Sequence, residues 1–175
     1  MKGRWNEVKN QNGVLYTFNC PDRFSAPIKM ALFDLDNTLI RYSKGDYNSV
    51  SLLYGTVPQR LQQYVRDGWR VVVLTNQAGV ALKLCTLADM KRKIEKAFGQ
   101  LQCDVTFIVA PYYDGNRKPH TGMFSYLNEL CDSMLSRRNC FYCGDMAGRI
   151  RDKNDSDALF ASRCGIPFYT PEQLF

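Results

Sequence analysis

Apolar and polar positions follow one another along this chain in blocks that predict strands and helices in turn. Short, continuous apolar runs predict buried strands, and apolar residues three and four positions apart predict helices with one buried face. The runs that predict strands are 14–18, 30–33, 70–74, 105–110, 140–143 and 168–170. The patterns that predict helices are 57–67, 86–101, 122–137 and 156–163.

The alternation of strands and helices predicts an α/β fold. We expect a single doubly wound, mainly parallel sheet with helices on both faces. The 175 residues fit one domain, 1–175, with a sizeable core. Within it, 1–27 is expected to add an N-terminal strand and loop that pack on the core, and 40–56 is expected to form a flap-like segment.

Polar side chains cluster where the predicted strands end. Asp34 and Asp36 follow the strand at 30–33, and Thr75, Lys118 and Asp145 follow later strands. Ligands of such sheets bind outside the carboxyl ends of the strands, so we expect these side chains to share one crevice. Carboxylates suit Mg2+, whereas lysine and hydroxyl groups suit phosphate oxygens. An aspartate is then the available nucleophile.

Net charge and cysteine content indicate which partner and which cellular compartment to expect. The net charge of +6 and the pI near 9.0 favour a polyanionic partner such as nucleic acid. A basic run is interpreted as a solvated helix face, with nucleic-acid contact as the alternative; it comprises Lys83, Lys91, Arg92, Lys93 and Lys96. The Cys140 and Cys143 pair is interpreted as core packing, and free thiols suit a reducing compartment. With no apolar leader or spanning run, a soluble protein of the nucleus or cytoplasm, or of a host cell if viral, is expected.

Five segments in order resemble a known family. They are ALFDLDNTLI (31–40), VVVLTNQAGV (71–80), RKPHTGM (117–123), FYCGDMAGR (141–149) and DALFASRCGIPFYTPEQLF (157–175). Together they resemble the haloacid dehalogenase-like phosphatases and, more narrowly, the 3'-phosphatase domain of polynucleotide kinase/phosphatase. One helix and one strand largely use each interval between the motifs, so we expect no cap domain and an open site.

The resemblance implies a role for each matching residue. Asp34 would attack the terminal phosphorus, and Asp36 would protonate the leaving 3'-oxygen and later activate water. Lys118 and Thr75, with Asn76 beside them, would bind phosphate oxygens. Mg2+ would lie between the carboxylates of Asp34 and Asp145 and the backbone carbonyl of Asp36.

Further residues are assigned less fully. One of Asp152, Asp155 and Asp157 is expected to orient Lys118 or the metal, and the sequence leaves open which. Arg117, with Tyr112 or Tyr113, could meet the penultimate phosphate or stack on a base, with a solubilising surface role as the alternative. Asn37 stands where the family commonly has glycine, and it should tolerate the same turn.

These observations predict a polynucleotide 3'-phosphatase that acts on DNA ends, with RNA ends as the alternative. The competing readings are a small-molecule phosphatase of the histidinol-phosphate or heptose-bisphosphate type, and a non-catalytic nucleic-acid-end binding protein. The zinc-binding Cys/His loop usual in the former is not present at 112–116. No Gly-x4-Gly-Lys loop occurs, so a kinase or ligase would be supplied by another chain. The protein is expected to be a monomer.

Overall fold

The computed structural model describes residues 3–175, which form one seven-stranded sheet with helices packed on it. The strands are β1 (Trp5–Asn10), β2 (Gly13–Phe18), β3 (Met30–Phe33), β4 (Arg70–Asn76), β5 (Val105–Ala110), β6 (Cys140–Cys143) and β7 (Phe168–Tyr169). The helices are α1 (Val57–Arg66), α2 (Leu87–Leu101), α3 (Gly122–Glu129), α4 (Ser156–Cys164) and α5 (Pro171–Leu174). Residues 1 and 2 of the predicted 1–27 segment lie outside the described residues.

The sheet is mainly parallel, as the sequence predicts. Its strand order is β1-β2-β5-β4-β3-β6-β7, and the five strands from β5 to β7 are mutually parallel. β1 and β2 form an antiparallel hairpin that pairs with the edge of β5. β1 was not predicted, because an edge strand with solvent-facing polar positions carries no continuous apolar run.

Apolar side chains fill both faces of the sheet. On one face α1 and α2 pack Leu61, Met90 and Ile94 against the strands. On the other face α3 and α4 contribute Leu127 and Phe160 to a second cluster. The chain moves outward from β3 in both directions, so the carboxyl ends of β3 and its neighbours open into one crevice.

Local signals fix several helix ends. Thr86 accepts a hydrogen bond from the Asp89 amide at 3.1 Å, and the Asp89 carboxylate accepts one from the Thr86 amide at 2.9 Å. This reciprocal pair is the predicted capping box at the start of α2. Gly165 has φ +68 and ends α4, as predicted.

The helix predicted at 122–137 is wrong beyond Glu129, where α3 ends. Phe24 in the N-terminal loop pairs with Cys131: its amide donates to the Leu130 carbonyl at 2.7 Å, and its carbonyl accepts from the Asp132 amide at 3.2 Å. These long-range bonds take the backbone groups that a longer helix would use. The helix α5 and the last two residues of β4 were also missed.

The described chain has no cap domain inserted between β3 and β6, as the motif intervals predict. The 40–56 segment is a loop fastened at its base, where the Arg41 amide donates to the Ser51 carbonyl at 2.9 Å. Asn37 begins the turn before it with φ +54, a conformation that asparagine adopts more readily than most residues. None of the described helices has the length and apolarity that a membrane crossing requires.

Candidate active site

The predicted catalytic side chains converge at the carboxyl ends of the central strands. Asp34 follows β3, Asp145 follows β6, and Lys118 lies on the loop after β5. An open cleft of about 190 Å³ is lined by Asp34, Asp36, Asn76, Lys118, Asp145 and Asp157, with Asn37, Tyr42, Arg117, Met146, Lys153, Asn154 and Ser156 around them. Residues that are up to 123 positions apart therefore share one site, because parallel strands end at the same edge.

Lys118 lies at the floor of the cleft, 3% exposed, between two carboxylates. Its Nζ is 2.8 Å from Asp34 Oδ1 and 2.9 Å from Asp157 Oδ1, and it also contacts the Tyr142 hydroxyl. That hydroxyl bonds Asp157 Oδ1 at 2.8 Å. Burial alone would lower the pKa of Lys118, but the charges of Asp157 and Asp34 outweigh it, so its pKa is raised and the ammonium stays charged.

The cleft brings more carboxylates together than Lys118 can neutralise. Oxygens of Asp34, Asp145 and Asp157 lie within 4.8 Å of one another. Burial raises the pKa of Asp34 well above its usual range; Lys118 opposes this shift only in part, and Asp157 and Asp145 add to it. Burial and the charge of Asp157 likewise raise the pKa of Asp145 to about 6. Three oxygen donors with an uncompensated negative charge fit a hard divalent cation.

Asp157 is the acid that contacts Lys118, among the three candidates after Asp145. Its other oxygen, Oδ2, accepts from the Met146 amide at 3.0 Å. Gly144 makes room for it, since a Cβ on Gly144 would lie 2.4 Å from the Asp157 carboxyl carbon. Because Asp157 is 1% exposed and in the first turn of α4, that helix fixes the carboxylate against Lys118.

The other two candidates lie elsewhere. Asp152 accepts from the Arg149 side chain at 2.9 Å and from the Ala147 amide at 3.0 Å, so it braces the loop after Asp145. Asp155 is exposed at the start of α4.

The Lys118 loop is held by two reciprocal amide pairs. Asn76 donates from Nδ2 to the Lys118 carbonyl and accepts from the Lys118 amide, both at 3.0 Å. Asn116 exchanges hydrogen bonds with the Asn10 side chain on β1 at 3.0 and 3.1 Å. The Asn76 amide thus positions Lys118, and its predicted contact with phosphate stays a prediction.

Asp36 lines the same cleft but belongs to a separate network. Lys93 Nζ is 2.7 Å from Asp36 Oδ1 and 2.8 Å from Oδ2, and Gln77 Nε2 donates to Oδ2 at 2.8 Å. Gln77 Nε2 also donates to the Thr75 hydroxyl at 2.9 Å. Thr75 is fully buried beside Gln77, and its predicted phosphate contact stays a prediction.

This network corrects one expectation. Lys93 was assigned to a solvated basic face, but it is 6% exposed and bound to Asp36. The sequence carried the signal, since position 93 is three after Met90 and four before Ala97 on the buried stripe of α2. Gln77 and Tyr142 were not predicted as site residues either. Gln77 follows the predicted phosphate contacts in sequence, whereas nothing in the sequence distinguishes Tyr142 from a tyrosine of the core.

The three residues predicted to contact nucleic acid lie in different environments in the structure. Tyr112 packs against the apolar cluster under α1 and α2. Tyr113 is 61% exposed, and the Arg117 guanidinium lies 4.6 Å from its ring centroid. Nη1 of Arg117 is buried and has no hydrogen-bond partner among the described residues. A buried guanidinium N–H without an acceptor favours an anionic ligand at this rim.

A larger cleft of about 470 Å³ lies at the opposite edge of the sheet and is lined by Arg4, Arg23, Trp69, Arg70, Asp104 and others. Its lining includes one carboxylate and no lysine, so it lacks the pairing of acids with a lysine that the smaller cleft has.

Comparison with known proteins agrees with this geometry. Residues 29–175 match the model of the family described as polynucleotide kinase 3 phosphatase. An uncharacterized 20.8 kDa protein of Autographa californica nuclear polyhedrosis virus is 32% identical over 91% of this chain and 96% of its own length. The bifunctional polynucleotide phosphatase/kinase of Schizosaccharomyces pombe is 32% identical over 84% of this chain, which spans 37% of that longer protein.

Solved structures show the same fold. A HAD-like phosphatase from Mesorhizobium loti superposes with a TM-score of 0.72 at 17% identity, over 91% of this chain and 78% of its own. A D,D-heptose 1,7-bisphosphate phosphatase from B. bronchiseptica, complexed with magnesium and phosphate, superposes with a TM-score of 0.65 at 21% identity, over 84% of this chain and 85% of its own. At these identities the likeness establishes the haloacid dehalogenase-like fold.

Proposed function

Because this chain belongs to the polynucleotide kinase 3 phosphatase family, we propose that it removes the terminal phosphate from 3' ends of DNA and leaves a 3'-hydroxyl. The observation that carries the proposal is the buried pairing of Asp34 with Lys118 in an open cleft, within a chain that the family matches from residue 29 to its last residue. Its net charge of +6 suits a polyanionic substrate.

The reaction is proposed to run in two steps on the residues of the cleft. An oxygen of Asp34 attacks the phosphorus, the bond from phosphorus to the 3'-oxygen breaks, and the proton of Asp36 passes to that oxygen. Water then attacks the phosphorus of the aspartyl-phosphate and gives a proton back to Asp36. The bond to Asp34 breaks and releases inorganic phosphate. Lys118, held by Asp157, offsets the charge on the phosphoryl oxygens in both steps.

Mg2+ is the proposed cofactor. The carboxylates of Asp34 and Asp145 and the main-chain carbonyl of Asp36 would hold it, and it would supply positive charge to the phosphoryl oxygens. The uncompensated charge of the acidic cluster supports this assignment, as does the magnesium and phosphate in the heptose-bisphosphate phosphatase. The Asp36 side chain is not among the clustered oxygens, since it faces Lys93 and Gln77.

The test is phosphate release from a 3'-phosphorylated DNA oligonucleotide, with Mg2+ or with EDTA. We expect release to fall about 1,000-fold in EDTA, because a cation that contributes several kcal/mol to the transition state is withdrawn. The matched control is the same oligonucleotide phosphorylated only at its 5' end, which should stay intact. Faster turnover of heptose bisphosphate or histidinol phosphate would favour the small-molecule phosphatase instead.

Arg117 is proposed to bind the penultimate phosphate, with Tyr113 as the stacking tyrosine. Replacing Arg117 with Ala is expected to lower kcat/KM for the oligonucleotide 10- to 100-fold, or about 1.5–3 kcal/mol for a charge-assisted hydrogen bond. Hydrolysis of p-nitrophenyl phosphate, which has no second phosphate, should stay within about threefold. Steady-state kinetics on both substrates decides this.

The control for Arg117→Ala is Arg138→Ala, an exposed arginine before β6 at the opposite edge of the sheet. It should leave both rates unchanged. Equal losses on the two substrates in Arg117→Ala would exclude a role in binding the polymer.

We propose further that the chain acts as a monomer and that any 5'-kinase or ligase step belongs to another chain.

A further inference from the structure

Lys93 lies on the core-facing stripe of α2, between Met90 and Ala97. A lysine on such a face usually extends its stem so that the ammonium reaches water. Here the side chain is only 7% exposed, so the ammonium does not extend into water. Removing an ammonium from water is costly, so a partner must hold it there.

The partner is the carboxylate of Asp36, bound through both oxygens at 2.7 and 2.8 Å. Gln77 joins the two groups, since its Oε1 accepts from Lys93 at 3.3 Å and its Nε2 donates to Asp36 Oδ2. Gln77 is itself 6% exposed. The amide is thus oriented from both of its ends, and the carboxylate cannot rotate without breaking several bonds at once.

Each carboxylate of the Asp34-Leu35-Asp36 segment therefore has its own lysine. Lys118 contacts Asp34 but not Asp36, and Lys93 contacts Asp36 but not Asp34. An ionised carboxylate offers about four acceptor positions. The described residues use three of them on Asp36, so one position, on Oδ1, is left to carry the proton that the first step of the proposed reaction transfers.

Stability explains this arrangement poorly. A buried ion pair contributes little net stability, and apolar residues of similar volume often serve as well or better. Methionine would fill the place of the Lys93 stem on an already apolar stripe. What methionine could not do is hold the Asp36 carboxylate in one orientation beside Asp34.

We infer that Lys93, together with Gln77, is a positioning residue that orients the Asp36 carboxylate for proton transfer to and from the substrate. The inference rests on the proposed function, since it takes Asp36 as the acid and base of the two-step reaction. Lys93 acts only through Asp36 and does not touch the phosphate. Its loss should therefore matter most where the leaving group needs a proton.

The test compares leaving groups in Lys93→Met. With the 3'-phosphorylated oligonucleotide, whose alkoxide must be protonated, the first step is expected to slow about 100-fold. With p-nitrophenyl phosphate, whose phenolate leaves without a proton, the pre-steady-state burst of nitrophenol should stay within about threefold. KM should change little for either substrate. Equal slowing of both first steps would overturn the inference.

A double-mutant cycle shows whether Lys93 acts through Asp36. Asp36→Asn should give the same split between leaving groups, and Lys93→Met added to it should cost no more than about twofold. Independent, multiplying losses would contradict the inference. Lys9→Met, which changes an exposed lysine of β1, is the matched control and should leave both substrates unaffected. If Lys93→Met fails to fold, Gln77→Leu should show the same split in a milder form.

The substrate proposal and this inference can fail separately. If wild type leaves the oligonucleotide intact but hydrolyses glycerol phosphate, the polynucleotide assignment fails. Glycerol phosphate then replaces the oligonucleotide as the ester with a poor leaving group, and the same comparison decides the role of Lys93.

Discussion

Replacing Asp34 with Asn is expected to lower kcat on a 3'-phosphorylated oligonucleotide at least about 10,000-fold, because the nucleophile is removed. The change preserves shape and keeps an acceptor for Lys118, whose Nζ is 2.8 Å from Asp34 Oδ1. Phosphate release gives the rate. Intact-protein mass spectrometry after an acid quench should show a phosphorylated wild type and an unmodified variant.

Stability should move in the opposite direction in Asp34→Asn. The pKa of Asp34 is raised in the folded protein, so its ionised form at neutral pH costs free energy of folding when no cation is bound. A neutral amide removes that cost, and the melting temperature in EDTA should stay equal or rise. Asp22→Asn, an exposed carboxylate in the N-terminal loop, is the control. Activity within tenfold of wild type in Asp34→Asn would place the nucleophile elsewhere.

Lys118→Met is expected to damage both activity and stability. Phosphate release should fall about 1,000-fold or more, because no cationic side chain remains at the floor of the cleft. The free energy of unfolding in EDTA should drop by about 3–5 kcal/mol, the range found when one partner of a buried ion pair is removed. Asp157 would then keep only the Tyr142 hydroxyl and a backbone amide. Denaturant unfolding and steady-state kinetics measure the two effects.

Two further variants show how the Lys118 effects divide. Asp157→Asn keeps the ammonium but weakens its orientation, so it should cost about 1–3 kcal/mol of stability and less activity than Lys118→Met. Lys9→Met changes an exposed lysine of β1 and should cost neither. A Lys118→Met protein as stable as wild type in EDTA would contradict the buried ion-pair geometry.

The sequence predicts the central sheet because β3, β4, β5 and β6 are nearly continuous apolar runs, which occur where both faces of a strand are buried. The rule for carboxyl ends then brings Asp34 and Lys118 together. The sequence does not identify which of Asp152, Asp155 and Asp157 contacts Lys118. That choice depends on where α4 begins and on the space beside Gly144.

Two errors have a common physical cause. By composition, the basic run around Lys93 predicts a solvated helix face. Position 93 nevertheless lies on the buried stripe of α2, and the ion pair with Asp36, which is distant in sequence, offsets the free-energy cost of burying the lysine. The helix at 122–137 is periodic enough to continue, but bonds with Phe24 end it. In both places a contact between segments far apart in sequence overrides the local pattern.

The N-terminal hairpin gives the catalytic loop part of its rigidity from outside the region that the family match covers. Asn10 on β1 bonds Asn116, and the Val14 amide on β2 donates to Asp114 at 3.0 Å, two and four positions before Lys118. A fragment starting at residue 29 would retain Asp34, Asp36, Lys118 and Asp145, yet it would leave the edge of β5 bare and Asn116 without its partner. We therefore expect the folded domain to need the hairpin formed by β1 and β2 in addition to the residues that the family match covers.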